Sequence, residues 1–336
     1  MMGDRPTIGL TMGDPAGIGP EITLKTLADE DLRGTARIVV LGDLAHLRAV
    51  ADRHGIDVVL GPVAGVGEAT AGGAIDVVDF DNVGEGIAYG EGRHEYGKAS
   101  LAYVDRAIDL AVEGAVDGLA NAPIHKKAIA RAGSEFAGHT DMMAARTNTD
   151  RYTALVTDGE LRVTHHSLHV PLVEAIERVS TDAVLDTVRL TASLLPEAGI
   201  EDPTLGVLGV NPHAGDGGVI GDLDDREIRP AVERAREEGI DARGPLPPDS
   251  AFNRSLDGEF DCMVAMYHDQ GHVPVFVNSR IAGGGVGATA LTLGLPFVRA
   301  TTLHGTAYDI AGRGIAGPES MVATVEVVAE AIRRRD

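Results

Sequence analysis

The chain has 336 residues, of which 44% are hydrophobic, and its formal net charge is −22 at pH 7. That length suggests about two domains or one large one, and the apolar runs fall far short of the roughly 20 residues needed to span a membrane. The negative field argues against nucleic acid or an anionic membrane as a partner, and the single cysteine, Cys262, excludes an internal disulfide framework.

Strand-like and helix-like segments alternate along the chain, which predicts an α/β architecture. The expected elements, in chain order, are a strand over 7–12, a helix over 21–28, a strand over 37–41, a helix over 99–114 and a helix from Pro318 onward. In the last two helices the apolar residues recur at helical spacing. Residues 61–98 are Gly-rich and weakly patterned, so we expect long loops there.

A glycine-rich loop over 13–21 connects the first strand to the first helix. It is similar to a dinucleotide-binding fingerprint but lacks the G-x-G-x-x-G spacing. Its backbone amides could meet an anion at the start of the helix. A plain structural turn explains the same residues equally well.

Three apolar, strand-like runs are each followed by a histidine. The runs and their histidines are 161–164 with His169, 205–210 with His213, and 262–266 with His268. In α/β sheets, ligands bind outside the carboxyl ends of the strands, and imidazole is the commonest metal ligand. Three such ligands would leave cation positions open for a substrate oxygen. Separately satisfied core or loop histidines are the alternative, since the spacing forms no compact metal motif.

The loop over 304–312 places glycines beside Asp309. Glycines let a nucleotide approach the backbone closely, and the carboxylate can accept hydrogen bonds from ribose hydroxyls. Because an acid at this point would repel a 2′-phosphate, the loop favours NAD over NADP.

The charged residues comprise 4 Lys, 25 Arg, 30 Asp and 21 Glu. Few lysines and many aspartates are typical of a protein that stays soluble in concentrated salt, where charge repulsion is screened. An ordinary acidic protein from an Arg-rich, GC-rich genome is the alternative. The start of the sequence has no signal-peptide-like apolar region, so we expect a soluble, cytoplasmic protein.

Several motifs in the same order resemble the 4-hydroxythreonine-4-phosphate dehydrogenase family, which acts in pyridoxine biosynthesis. The matching motifs lie at 13–21, 138–141, 169–172, 211–218, 244–252, 265–271, 294–296 and 304–312. Segments 13–21 and 304–318 are also similar to isopropylmalate and isocitrate dehydrogenases. The resemblance implies their two-domain α/β fold, an interdomain active-site cleft and a homodimer. It places residues 1–120 with 277–336 in a nucleotide-binding domain, and residues 121–276 in a second domain with the metal ligands and dimer interface.

The resemblance also implies roles for single residues. The implied metal ligands are His169, His213 and His268, shared between subunits and holding a divalent cation (Zn, Mg, Mn or Co). The implied substrate-binding residues are His139, Thr140 and Arg299, and those facing NAD are Gly305, Thr306, Asp309 and Ile310. The candidates for proton transfer are Lys126, Asp249 and Asp269. An exposed lysine at a helix start, and aspartates that serve as turns or caps, are the alternatives for these three.

Three positions depart from the family's pattern. No lysine occurs over 272–277, where members usually carry one that binds substrate, Ala290 replaces an asparagine, and Leu303 replaces an aspartate. Losing a charged partner typically costs a substrate anion a few kcal/mol, so strict specificity for 4-hydroxythreonine 4-phosphate is not expected. Other members of the family resemble phospho-threonate or phospho-erythronate dehydrogenases, and His272 after the Gly271 position is similar to the residue found in that branch. Further members act on dihydrodiol carboxylates.

The sequence therefore predicts a metal-dependent, NAD-linked dehydrogenase that oxidises, with decarboxylation, a small phosphorylated hydroxy acid. The same chemistry on a phospho-threonate, a phospho-erythronate or a non-phosphorylated dihydrodiol carboxylate is the first alternative. A non-catalytic module that binds a metabolite or nucleotide is the second. A metal-dependent hydrolase could also use three histidines, but it leaves the 304–312 loop unexplained.

Overall fold

The computed structural model describes residues 5–68, 73–136, 138–283 and 287–335. Within those ranges the strands are β1 (Thr7–Thr11), β2 (Arg37–Gly42), β3 (Leu60–Val63), β4 (Ile75–Asp79), β5 (Gly118–Asn121), β6 (Thr153–Thr157), β7 (Arg162–His165), β8 (Leu205–Leu208), β9 (Ala242–Leu246), β10 (Cys262–Ala265), β11 (Thr289–Leu293) and β12 (Val298–Thr302). They form one mixed sheet in the order β3-β4-β2-β1-β5-β12-β11-β6-β7-β10-β8-β9.

Helices cover the sheet. They are α1 (Gly19–Leu27), α2 (Glu30–Thr35), α3 (Leu44–His54), α4 (His94–Val112), α5 (Lys126–Arg131), α6 (His139–Arg146), α7 (Leu172–Glu177), α8 (Thr181–Leu194), α9 (Arg229–Glu237), α10 (Pro248–Leu256), α11 (His268–Gly283) and α12 (Glu319–Arg335). No helix of the described ranges combines the length and apolarity needed to cross a membrane. The α/β architecture is confirmed.

The central strands are buried along their whole length, as strands covered on both faces must be. Every residue of β5 and β11 is buried, and helix α12 packs on both of them and on β12. The buried side chains of α12 that pack toward these strands are Met321, Val325, Val328 and Ile332. The apolar spacing that predicted this helix therefore marks its buried face.

One predicted segment is wrong. Residues 61–98 were expected to form long loops, yet β3 and β4 lie largely within this stretch and α4 already begins at His94. Both strands are short. Backbone pairing of β4 with β2, and of β3 with β4 at the edge of the sheet, stabilises them where the sequence pattern is weak. The two-domain division stays a prediction, and its boundaries at 120/121 and 276/277 fall inside β5 and α11.

Candidate active site

The strands β7, β10 and β8 are neighbours and run parallel. Their carboxyl ends therefore meet at one edge of the sheet, which is where α/β proteins bind ligands. His169 follows β7, His268 follows β10 as the first residue of α11, and His213 follows β8. The sheet thus brings the ends that carry all three predicted ligands to the same edge.

His169 and His268 are close to each other. Their ring centroids lie 5.6 Å apart, and His272 stacks on His268 at 3.8 Å between centroids. Asp269 Oδ1 lies 2.7 Å from His268 Nδ1. A proton donated from Nδ1 to this carboxylate leaves His268 Nε2 free to bind a metal, which is the usual arrangement around metal-binding imidazoles.

His213 makes no ring contact with His169 or His268 among the described residues. It is exposed, and its Nδ1 is 4.0 Å from Asp249 Oδ2, too far for a hydrogen bond. Within the described ranges no three His, Cys, Asp or Glu side chains gather round a metal position. A single chain therefore brings His169 and His268 together but leaves the third predicted ligand outside the cluster.

Burial and neighbouring charges favour the neutral forms of His169 and His272. The pKa of His169 is lowered first by burial and then by the charges of Lys126 and His268. Burial, followed by the charge of His268, lowers the pKa of His272 to about 4. Neutral imidazole is the form that binds metals. The charge of Lys126, at the start of α5, is therefore close enough to His169 to oppose its protonation.

Arg299 on β12 is almost completely buried, at 1% exposure. Its Nε donates to Asn121 Oδ1 at 2.7 Å, and Nη1 donates to Thr140 Oγ1 at 3.1 Å and to Thr292 Oγ1 at 3.0 Å. No carboxylate in the part of the chain that the structure describes pairs with it, and burial lowers its pKa to about 9. A buried cation held only by neutral oxygens could take an anionic ligand as its counter-charge.

His139, at the start of α6, is the residue next to Thr140, which binds Arg299. It is buried, and its Nε2 has no hydrogen-bond partner among the described residues. Its pKa is far below the usual value because burial, and then the charge of Arg299, oppose protonation. The structure therefore brings Thr140 and Arg299 into contact, with His139 close enough to feel the charge of Arg299. Their role in substrate binding stays a prediction.

Phe276, Ala290 and Leu303, which replace polar residues of the family's pattern, join one apolar cluster. Ala290 pairs with Thr301 and lies two residues before Thr292, so it shares the face of the sheet that carries Arg299. Phe276 lies on α11, 6.4 Å from His272 between ring centroids. An apolar wall therefore connects the histidines to the guanidinium.

The glycine loop over 13–21 is a structural turn, one of its two predicted roles. Its amides are already used: Asp14 donates to Pro123 O at 2.9 Å, and Ile18 donates to Thr306 O at 3.0 Å. A Cβ on Gly17 would lie 2.9 Å from Thr306 Cβ. The loop is buried beneath segment 304–312 and supports it.

Segment 304–312 presents Gly305 and Asp309 to solvent, while Thr306 is buried and Ile310 is half-buried. Its conformation is fixed by Tyr308, which donates from its hydroxyl to the buried Asp14 Oδ2 at 2.7 Å. Tyr308 also stacks on His125, 4.6 Å away between centroids, next to Lys126. Gly305 and Asp309 are thus accessible from solvent, and the binding of a nucleotide by this segment stays a prediction.

Three polar residues of the site were missed. Asn121 and Thr292 bind Arg299, and Asp14 binds Tyr308. Asn121 ends a buried strand, as the histidine-bearing runs do, so the same strand-end signal could have identified it. Asp14 follows β1 at the distance at which His268 follows β10 and carried the same signal, whereas Thr292 lies inside β11 and carried none.

Comparison with known proteins gives consistent matches. The family model of pyridoxal phosphate biosynthetic protein PdxA matches residues 34–328. The chain is 40% identical over 332 residues to a D-threonate 4-phosphate dehydrogenase of Cupriavidus necator, covering 98% of each. It superposes on a 4-hydroxythreonine-4-phosphate dehydrogenase from Klebsiella pneumoniae with a TM-score of 0.85 and 36% identity, over 97% of this chain and 99% of that one. A terephthalate 1,2-cis-dihydrodiol dehydrogenase from Burkholderia xenovorans gives a TM-score of 0.60 and 30% identity, over 97% and 98%.

Proposed function

The chain belongs to the family of pyridoxal phosphate biosynthetic protein PdxA, and from that premise we propose that it is a metal-dependent, NAD-linked dehydrogenase of a small phosphorylated hydroxy acid. Relatives named as dehydrogenases of D-threonate 4-phosphate and 4-hydroxythreonine 4-phosphate support this class of substrate. The single observation that carries the proposal is the buried guanidinium of Arg299, which has no carboxylate partner among the described residues, in a chain that also brings His169 and His268 together at the ends of β7 and β10.

His169, His268 and His213 would hold the cation. The free Nε2 of His268 and the neutral His169 suit a divalent metal that takes nitrogen ligands. When bound, the cation supplies Lewis-acid polarisation of the substrate hydroxyl and stabilises negative charge that develops there or during decarboxylation. We propose that His213 comes from a second subunit, because it stands outside the cluster of its own chain.

An exposed apolar face supports a homodimer. Val273, Val277 and Ile281 recur four residues apart on α11 and are all exposed, and Leu172 and Val173 of α7 are exposed close to His169. Contiguous apolar surface of this kind marks a protein interface. A partner packed against it would lie next to the histidine cluster.

The chain's own residues bind and orient the substrate. Arg299 and Thr140 would bind the anionic group, with His139 Nε2 donating to or accepting from it. Lys126, Asp269 and Asp249 are the candidates to take the hydroxyl proton while hydride leaves the same carbon for NAD. Of these, Lys126 lies close enough to His169 for its charge to lower the pKa of that imidazole, whereas Asp269 is already bonded to His268 and is better placed to orient it.

Gly305, Thr306, Asp309 and Ile310 would hold the adenosine half of NAD. The exposed Asp309 carboxylate can accept hydrogen bonds from the ribose and would repel a 2′-phosphate. The buried turn at 13–21 and the Tyr308–Asp14 hydrogen bond keep this segment in place before the nucleotide arrives.

A second candidate substrate is a non-phosphorylated cyclic diol carboxylate, and the apolar wall favours it. Phe276, Ala290 and Leu303 offer no charge to a phosphate dianion, which leaves Arg299 as its buried cation. A carboxylate carries a single charge and needs less compensation. The similarity to a dihydrodiol dehydrogenase is consistent with such a substrate.

A substrate panel tests the proposal. The protein is mixed with NAD, Mn²⁺ and either D-threonate 4-phosphate, 4-hydroxythreonine 4-phosphate, D-threonate or a dihydrodiol carboxylate, and NADH is followed by absorbance. Formation of NADH from a phosphorylated acid, lost with EDTA, is the expected result. Turnover of the diol carboxylate alone would favour the second candidate. Absence of NADH with every substrate, together with tight ligand binding by calorimetry, would instead indicate a binding module.

A further inference from the structure

The segment that carries His213 has an unusual backbone. His213, Ala214 and Asp216 have φ values of 55°, 53° and 46°, and the glycines at 215, 217 and 218 are also left-handed. Residues 213–218 are therefore all in a conformation that is disfavoured wherever a Cβ is present. Such a turn persists only when its surroundings hold it.

Asp224 supplies the interactions that hold the start of this turn. Its side chain is completely buried, Oδ1 accepts from the Val210 amide at 2.6 Å, and Oδ2 accepts from Asn211 Nδ2 at 2.7 Å and from the Asn211 amide at 3.3 Å. No cation among the described residues forms an ion pair with it. The N–H groups of residues 210 and 211, which immediately precede Pro212 and His213, therefore satisfy its buried oxygens.

The chain closes tightly round this carboxylate. A Cβ on Gly209 would lie 2.6 Å from Asp224 Oδ1, and one on Gly215 would lie 3.4 Å from Oδ2. Asp224 is also the first residue of a π-helical turn, Asp224–Ile228. Such turns are frequent at functional sites.

The same strand end is tied to His268. Gly209 O accepts from Gln270 Nε2 at 2.7 Å, and Gln270 Oε1 accepts from the Met266 amide at 2.7 Å. Gln270 thus joins the end of β8 to the end of β10. Hydrogen bonds within one chain therefore connect the base of the His213 turn to the base of His268.

We propose that Asp224 is a positioning residue for His213: its buried carboxylate binds residues 210 and 211 and so fixes the left-handed turn that presents the imidazole. The inference rests on the proposed function, in which His213 is a metal ligand. Asp224 does not contact the cation and acts only through His213. Replacing it should weaken metal binding by displacing a ligand.

Asp224→Asn tests this, because it keeps the size of the side chain but turns an amide group toward N–H donors. Co²⁺ alone is titrated into the full-length protein and its binding is followed by the visible absorption of the metal. The affinity is expected to fall about 10- to 100-fold, as for other residues that orient metal ligands. Asp225→Asn is the matched control, since Asp225 pairs with Arg229 in a partly exposed ion pair, and its affinity should not change.

A double-mutant comparison separates positioning from a general structural role. In a His213→Ala background, Asp224→Asn should have no further effect on Co²⁺ affinity. Asn211→Ala, which removes one donor to Asp224, should weaken binding in the same direction and serves as the test if Asp224→Asn does not fold. Unchanged affinity in these variants, or an equal further loss in the His213→Ala background, would overturn the proposal. If His213→Ala alone left Co²⁺ binding unchanged, the proposed metal site itself would be wrong.

Discussion

Arg299 is the residue whose burial is hardest to explain without a ligand. A guanidinium at 1% exposure that bonds to one amide and two hydroxyl oxygens has lost most of its hydration without gaining a counter-charge. The anionic group of a substrate would supply that charge. The function proposed for the sheet edge therefore depends on the charge and shape of this side chain.

Arg299→Lys tests this role while keeping the positive charge. Lysine cannot make the three directed hydrogen bonds at once, so the KM of the anionic substrate should rise by a factor corresponding to about 1.5–3 kcal/mol, with the KM of NAD unchanged. Steady-state kinetics measure both constants. An unchanged substrate KM would show that the anion binds elsewhere.

His139 makes the stability of the fold depend on pH. Its pKa is lowered from the usual 6.5 by burial and by Arg299, so the unfolded chain takes up a proton below pH 6.5 that the folded chain does not. Stability should therefore fall as pH drops through this window, by up to about 1.4 kcal/mol per pH unit for this one group. His139→Gln, which cannot be charged, should lose less stability than the wild type between about pH 7 and pH 5 in urea denaturation. Equal losses would contradict the assignment.

For single residues, the sequence pattern predicted a role in the site only where that role follows from the residue's position at the end of a strand. His169, His213 and His268 follow buried runs and could be selected on that ground. Asn121 and Thr292 could not be matched with Arg299, because their meeting depends on the register of β5, β12 and β11. The family's motifs, not periodicity, selected Arg299 itself.

Among the elements, helix α11 combines the most roles. Its first turn carries His268, Asp269 and Gln270, and its exposed side carries the apolar stripe of Val273, Val277 and Ile281, at 55%, 52% and 78% exposure. An isolated chain would leave this stripe in water. We therefore expect α11 both to build the proposed site and to contact a partner.

Val277→Asp should separate the subunits. A carboxylate in the middle of an apolar interface is costly to bury, so sedimentation should show the dimer proposed for the wild type and a monomer for the variant. Metal affinity should fall as well, since the third ligand would come from the partner. Val112→Asp, at an equally exposed valine at the end of α4, is the control and should leave the dimer intact. A Val277→Asp dimer would show that the interface lies elsewhere.

The long helices were predictable because their apolar residues follow one face, as α12 shows. Strands β3 and β4 were not, because β3 contains glycine and proline and pairs only at the sheet edge. The exposed stripe on α11 also had no clear signal, since Pro274 and several polar residues interrupt the pattern. The strands that pair with β3 and β4, and the partner proposed for the α11 stripe, lie outside the local sequence.

For the whole molecule the dominant physical feature is the net charge of −22. Exposed ion pairs such as Arg189–Glu238 each contribute only about 0–1 kcal/mol to the free energy of unfolding, so salt that screens them lowers stability little. The same salt weakens the repulsion among the excess negative charges, which should raise stability by more. The melting temperature is therefore expected to rise between about 0.1 M and about 2 M KCl, as calorimetry would show. A melting temperature that falls with KCl would indicate an ordinary acidic protein.

Subunit complementation tests the central claim most directly. His169→Ala and His213→Ala should each abolish metal-dependent NADH formation from the substrate that the wild type oxidises. If one site takes His169 from one subunit and His213 from the other, each mixed dimer regains one intact site. Co-expression of the two variants should then restore about a quarter of the wild-type activity, sensitive to EDTA. No recovery in dimers shown to be mixed would contradict a shared metal site, and full activity in either single variant would contradict the ligand assignment.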